Sequence, residues 1–142
     1  MKIDAQTRSD IEALVYEHAW RLDFHQSATL GELYLEAGRL HGIGPDRQGR
    51  ASIDAYGSVR AEQRQTVARH VCTNLRLTPL ENGRIAGQLI ITLFRHKGEG
   101  FGPADPVAVA DAHDVYARDD DGSWKLAERR LSLAFESEAH KL

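Results

Sequence analysis

The chain has 142 residues, a hydrophobic fraction of 42%, a charged fraction of 27% and a formal net charge of -3. That is one ordinary globular domain by size, with no general attraction to nucleic acid or an anionic membrane surface. No apolar run reaches the roughly 20 residues of a membrane span, the start Met1-Lys2-Ile3-Asp4 has no secretory apolar stretch, and the single Cys72 excludes an internal disulfide or a cysteine-rich zinc site, so a cytoplasmic protein is expected.

Thr7 to about Gln26 reads as the first helix, capped by Thr7 or Ser9, with Ile11, Leu14, Val15, Ala19 and Leu22 at helical spacing. Tyr16, Trp20 and Asp23 form an adjoining stripe. A carboxylate is unfavourable near a helix C-terminus, so Asp23 is either a solvated or capping residue or a residue held there for a purpose. Thr29–Glu36 reads as a second helix and residues 38–44 as a short strand. Pro45 to Arg50 is turn material, and a third helix runs from about Arg50 to Gln65 with Ile53, Tyr56 and Val59. Gly57 inside it costs about 1 kcal/mol relative to alanine.

From Val67 onward the pattern is strand. Arg69-His70-Val71-Cys72-Thr73-Asn74 opens a strand to about Thr78, with His70, Cys72 and Asn74 on one face and Val71, Thr73, Leu75 and Leu77 on the other. Asn82-Gly83 suits a hairpin turn. Strands follow at about Arg84–His96, Val107–Arg118 and Ser123–Phe135, joined by a Gly- and Pro-rich loop and by Asp119-Asp120-Asp121-Gly122. Fraying is expected at about 1–6 and 136–142. Helices followed by long antiparallel strands give an α+β fold, a strongly curved sheet wrapped on helices with a conical cavity between.

The order of elements, Leu22-Asp23, Gly49-Arg50, the Arg69–Asn74 stretch and the ending Asp121-Gly122-Ser123-Trp124-Lys125-Leu126 together resemble the nuclear-transport-factor-2-like (cystatin-like) superfamily. Within it the chain is similar to the SnoaL-like group of polyketide cyclases, and to scytalone dehydratase and bile-acid dehydratase. The resemblance implies a cone-shaped α+β barrel formed by one domain over 1–142. It also implies an acid–base pair in the cavity, at the positions of Asp23 and His70. For a second site histidine, His113 is a candidate, with Asp114 as its alternative on the opposite face.

A histidine and a carboxylate in an apolar pocket can remove a proton beside a carbonyl and return one to a leaving hydroxyl, without a cofactor. Tyr16, Trp20, Tyr34 and Tyr56 are candidate walls for a flat hydrophobic ligand. Cys72 is a candidate wall residue; a nucleophilic role would need activation by His70, and a lone buried thiol is more often core. Asn74 would bond a ligand oxygen or close a polar network. Arg130, expected to share a face with Trp124, Leu126 and Glu128, would pair with an acidic ligand, Asp23 or Glu128, with Arg129 facing away. The seven histidines show no three- or four-residue pair on a helix, so no metal site is expected. Gly98-Glu99-Gly100-Phe101-Gly102 opens no helix with a lysine and is a lid or a plain connection.

The expected activity is therefore a small cofactor-independent lyase or isomerase acting on a hydrophobic cyclic or polyketide-like molecule. The rivals are a non-catalytic binding or assembly module and a small structural subunit of a ring-hydroxylating oxygenase. A homodimer through an apolar outer sheet face, presenting Val71, Leu75 and Leu77 or their equivalents, is also expected.

Overall fold

Helix α1 (Ala5–Asp23) buries Ile11, Leu14, Val15, His18 and Ala19 along one side. Its cap is Asp4, whose carboxylate accepts from the Thr7 N–H at 2.8 Å. The helix therefore starts ahead of the expected Thr7 and Ser9 caps, and residues 5 and 6, expected to fray, are helical. The structure, a computed structural model, describes residues 2–138, so the expected fraying of 139–142 lies outside the described residues.

The second expected helix is a 3-10 segment, Ser27–Leu33, broken at Thr29; Tyr34 already opens strand β1 (Tyr34–His41). Side chains of the following helix take the backbone groups that would have continued it. Asp54 accepts from the Gly31 N–H at 2.7 Å, and the Arg50 guanidinium donates to the carbonyls of Gly31 and Tyr34. After β2 (Arg47–Gln48), helix α2 (Arg50–Glu62) stops three residues short of the expected Gln65. Gly57 within it has a steric reason: a Cβ there would lie 1.8 Å from the Ser27 carbonyl oxygen. The missing side chain lets α2 lie against the 3-10 segment, where Ser27 Oγ donates to the Gly57 carbonyl at 2.8 Å.

Strands β3 (Thr66–Pro79), β4 (Ile85–Lys97), β5 (Ala108–Arg118) and β6 (Trp124–Glu136) complete a six-stranded sheet of order β2-β1-β6-β5-β4-β3. All neighbours are antiparallel except β1 with β6. The β3–β4 turn holds Asn82 and Gly83 at φ 61 and 73, a conformation that Asn and Gly tolerate. The helices pack on the concave face over a core that includes Ile11, Leu30, Tyr34, Ile53, Tyr116 and Leu126. This is the expected α+β cone.

Bulges curve the sheet and reset its alternation. On β3, Thr73 pairs with Ile90 and Arg76 with Gln88, leaving one extra residue at Asn74, which sits at φ 60. Beyond it Leu75 and Leu77 turn inward against the core, so of the three expected outer residues only Val71 faces out. On β6, Val115 pairs with Glu128 and Tyr116 with Leu126, leaving Ala127 over. Arg129 is thereby turned inward at 2% exposure and Arg130 outward, the reverse of the expected placement.

Candidate active site

The end of α1 is shaped to aim Asp23. His25 adopts the left-handed conformation at φ 59, and the Gln26 N–H returns to the Arg21 carbonyl at 2.9 Å. That six-to-one closure ends the helix abruptly. Asp23, in the last turn and 7% exposed, points across to β3. There its Oδ2 accepts from the His70 backbone N–H at 2.8 Å and its Oδ1 contacts His70 Nδ1 at 2.5 Å. Two donors from one residue compensate a carboxylate that the helix dipole and burial both disfavour. With Nδ1–H donating to Asp23, Nε2 is the ring nitrogen left to act in the cavity that His70 lines.

That cavity, of about 400 Å³, opens between the concave sheet and α2. Its walls are mostly apolar and include Leu40, Tyr56, Ile91, Leu93, Leu131 and Leu133. It narrows into an apical hollow of about 60 Å³ that shares Leu40, Tyr56, His70, Ile91 and Leu131 and adds His18, Cys72 and Arg129. His70 stands where the two meet. A separate hollow of about 440 Å³ lies around Trp124 and Arg118; its one carboxylate, Asp4, caps α1, and it carries no histidine, cysteine or glutamate.

The apex is polar but fully partnered. Asp114 and Arg129 form a buried two-point ion pair, both contacts 2.8 Å, and the Tyr116 hydroxyl donates to Asp114 at 2.6 Å. His18 Nε2 meets the Tyr34 hydroxyl at 2.9 Å. Burial, reinforced by the Arg129 charge, pushes the His18 pKa well below its usual value, so its imidazole is neutral. Burial also raises the Cys72 pKa, which keeps the thiol protonated and makes it a wall rather than a nucleophile. Among the described residues no three His, Cys, Asp or Glu side chains converge as a metal set.

A SnoaL-like domain model matches residues 4–130, most of the chain. The chain belongs to the SnoaL-like family. Solved structures agree on the fold. ActVI-ORFA from Streptomyces coelicolor superposes with a TM-score of 0.81 at 19% identity, over 94% of this chain and 99% of that one. A putative scytalone dehydratase from Novosphingobium aromaticivorans gives 0.78 at 14% identity, over 95% and 89%. A Catenulispora acidiphila protein in complex with S-DNPA gives 0.76 at 16% identity, over 92% and 95%. No curated protein matches the chain.

In this SnoaL-like domain Asp23 contacts His70, and His70 lines the cavity and its hollow together with Tyr56, with Cys72 in the hollow. Tyr34 is also inside, but completely buried against His18 rather than forming an open wall. The other expected residues stand outside the cavity. Tyr16 and Trp20 are 56% and 57% exposed on the outer side of α1, because the buried stripe runs through Val15 and His18 instead. Asn74 is exposed on its bulge, and Arg130 is exposed on the outer face. His113 also faces outward, toward the Gln88 amide at 3.2 Å, while Asp114 faces in. Three inward residues were missed: His18, Asp114 as more than an alternative, and Arg129. His18 had a signal, since it continues the Ile11, Leu14, Val15 spacing. Arg129 had none, because the bulge at Ala127 is a product of strand pairing.

No helix among the described residues is long and apolar enough to cross a membrane.

Proposed function

We propose that this protein is a small acid–base lyase or isomerase of the dehydratase or cyclase type, acting on a hydrophobic cyclic or polyketide-like molecule. The observation that carries the reading is the Asp23–His70 contact at the wall of a mostly apolar cavity. His70 Nε2 takes a proton from a carbon beside a carbonyl, and Asp23 stabilises the imidazolium that forms. The same Nε2–H then protonates a leaving hydroxyl, which departs as water, or returns the proton to another carbon. Tyr56 and the aliphatic walls exclude water and hold a flat ring against the imidazole. The likeness to a putative scytalone dehydratase and to a protein holding a small molecule supports this direction. Screening cyclic enones and hydroxy-ketones with wild type and His70→Ala tests it. The variant should lose about 100-fold or more in turnover, and equal turnover by both would remove His70 from the mechanism.

A homodimer through the convex sheet face is part of the same proposal. Strand pairing aligns Val71, Thr92, Val109 and Phe135 as one row across four strands on that face. Phe135 is 71% exposed and Val71 44%, a cost that a second copy would relieve. Sedimentation should give twice the chain mass, reduced to one chain by Val109→Glu; a monomeric wild type sinks the idea.

A further inference from the structure

The wide end of the cavity carries charges that the Asp23–His70 pair does not use. Arg60, near the end of α2, and Arg95, on β4, line it together with Arg47. The Arg47 guanidinium stacks over the Tyr56 ring at 4.0 Å and donates to the Pro45 carbonyl at 3.0 Å. Arg60 donates to the Gln63 amide oxygen at 3.4 Å. Among the described residues, none of the three forms an ion pair with a carboxylate, whereas Arg21, Arg39, Arg50 and Arg129 all do. Glu136 lines the same mouth and has an interaction of its own. Three cations therefore face one anion there.

Like charges at a part-buried mouth are unfavourable until an anion joins them. Burial, and next the Arg60 charge, lower the Arg95 pKa, which places the two guanidinium groups within electrostatic reach of each other. The register fixes where they lie relative to the reacting end. His70 pairs with Leu93, and Arg95 pairs with Ala68, two residues further along β4. At about 3.4 Å per residue the Arg95 backbone stands roughly 7 Å from the point opposite His70. A planar guanidinium fork matches a carboxylate better than any neutral group.

We propose that the ligand is a flat hydrophobic acid whose carboxylate docks between Arg60 and Arg95 while its ring lies along Tyr56 toward His70. The orientation toward His70 rests on the proton-transfer reading; the preference for an anion does not. The carboxylate end anchors the molecule and leaves the carbon to be deprotonated about one ring away, beside Nε2.

Calorimetric titration of the full chain with 2-naphthylacetic acid and with its neutral amide tests this. The wild type should bind the acid about tenfold more tightly, the fold-change expected of one charge-assisted hydrogen bond. Arg60→Gln/Arg95→Gln should bring the two ligands within about twofold by weakening the acid alone, and Arg60→Lys/Arg95→Lys should restore part of the preference. His70→Ala should keep the preference in full. If it does so while turnover is unaffected by His70→Ala, the anion site stands and the catalytic reading fails. Equal affinity of the wild type for acid and amide, binding of neither, or a preference that survives in the glutamine variant overturns the inference. The wild-type comparison needs no variant, so misfolding of one leaves the test intact.

Discussion

Asp23 grips His70 twice, through the backbone N–H at 2.8 Å and through ring Nδ1 at 2.5 Å. The first contact fixes where β3 lies against the end of α1, and the second fixes which ring nitrogen is left for the cavity. One carboxylate thus ties the fold to the chemistry proposed for it.

Asp23→Asn separates the two roles. The amide oxygen can still accept from the His70 N–H, but the amide NH2 then faces Nδ1 and favours the tautomer protonated on Nε2. Turnover of any substrate the wild type converts should fall by roughly 100-fold or more, with little change in melting temperature. Unchanged turnover would mean that the tautomer of His70 is irrelevant.

The Asp114–Arg129 pair is closed to solvent on both sides. Arg129→Met strands the Asp114 carboxylate in the core and should cost about 3 to 5 kcal/mol in urea unfolding. Asp114→Leu/Arg129→Met removes both charges and should recover most of that loss. A single variant as stable as the wild type would show that water reaches Asp114.

His18 makes stability fall with acidity. Its folded pKa lies well below the ordinary value of 6.5 because burial opposes its charge. Below that ordinary value the unfolded chain takes up a proton that the folded chain refuses, so unfolding gains. The stability contributed by a neutral His18 is complete above 6.5 and declines as pH falls toward the folded value. Melting temperatures across this range should slope less steeply in His18→Gln, and identical slopes would exclude His18 as the titrating group.

Gly57→Ala opposes intrinsic helix propensity to packing. Propensity alone predicts a gain of about 1 kcal/mol. The Ser27 carbonyl oxygen, 1.8 Å from where the new Cβ would sit, predicts a loss instead, about 2 kcal/mol by the usual cost of overpacking. Chemical denaturation gives the sign directly.

Local chemistry explains what the sequence made legible. The 3.6-residue spacing of Ile11, Leu14 and Val15 marked α1, and Asn82-Gly83 marked the β3–β4 turn by tolerating positive φ. Alternation along β3 paired His70 with Cys72 on the inner face, and the resemblance then joined Asp23 to them across 47 residues of chain. Those readings need only a residue and its near neighbours, or a known pattern.

Which way the later residues face was decided by the tertiary structure alone. A period-two pattern assigns faces only while pairing stays in register. The bulge at Asn74 sent Leu75 and Leu77 inward, and the bulge at Ala127 exchanged Arg129 for Arg130. Asn74 at least tolerates a positive φ; Ala127 carries no such mark. Bulges form where a whole sheet must curl around its helices, which is a property of six strands together. The sequence by itself determined most of the elements, the cone and the shared inner face of His70 and Cys72. The assembled sheet determined that the apex holds a buried Asp114–Arg129 pair and that the mouth presents Arg60 and Arg95.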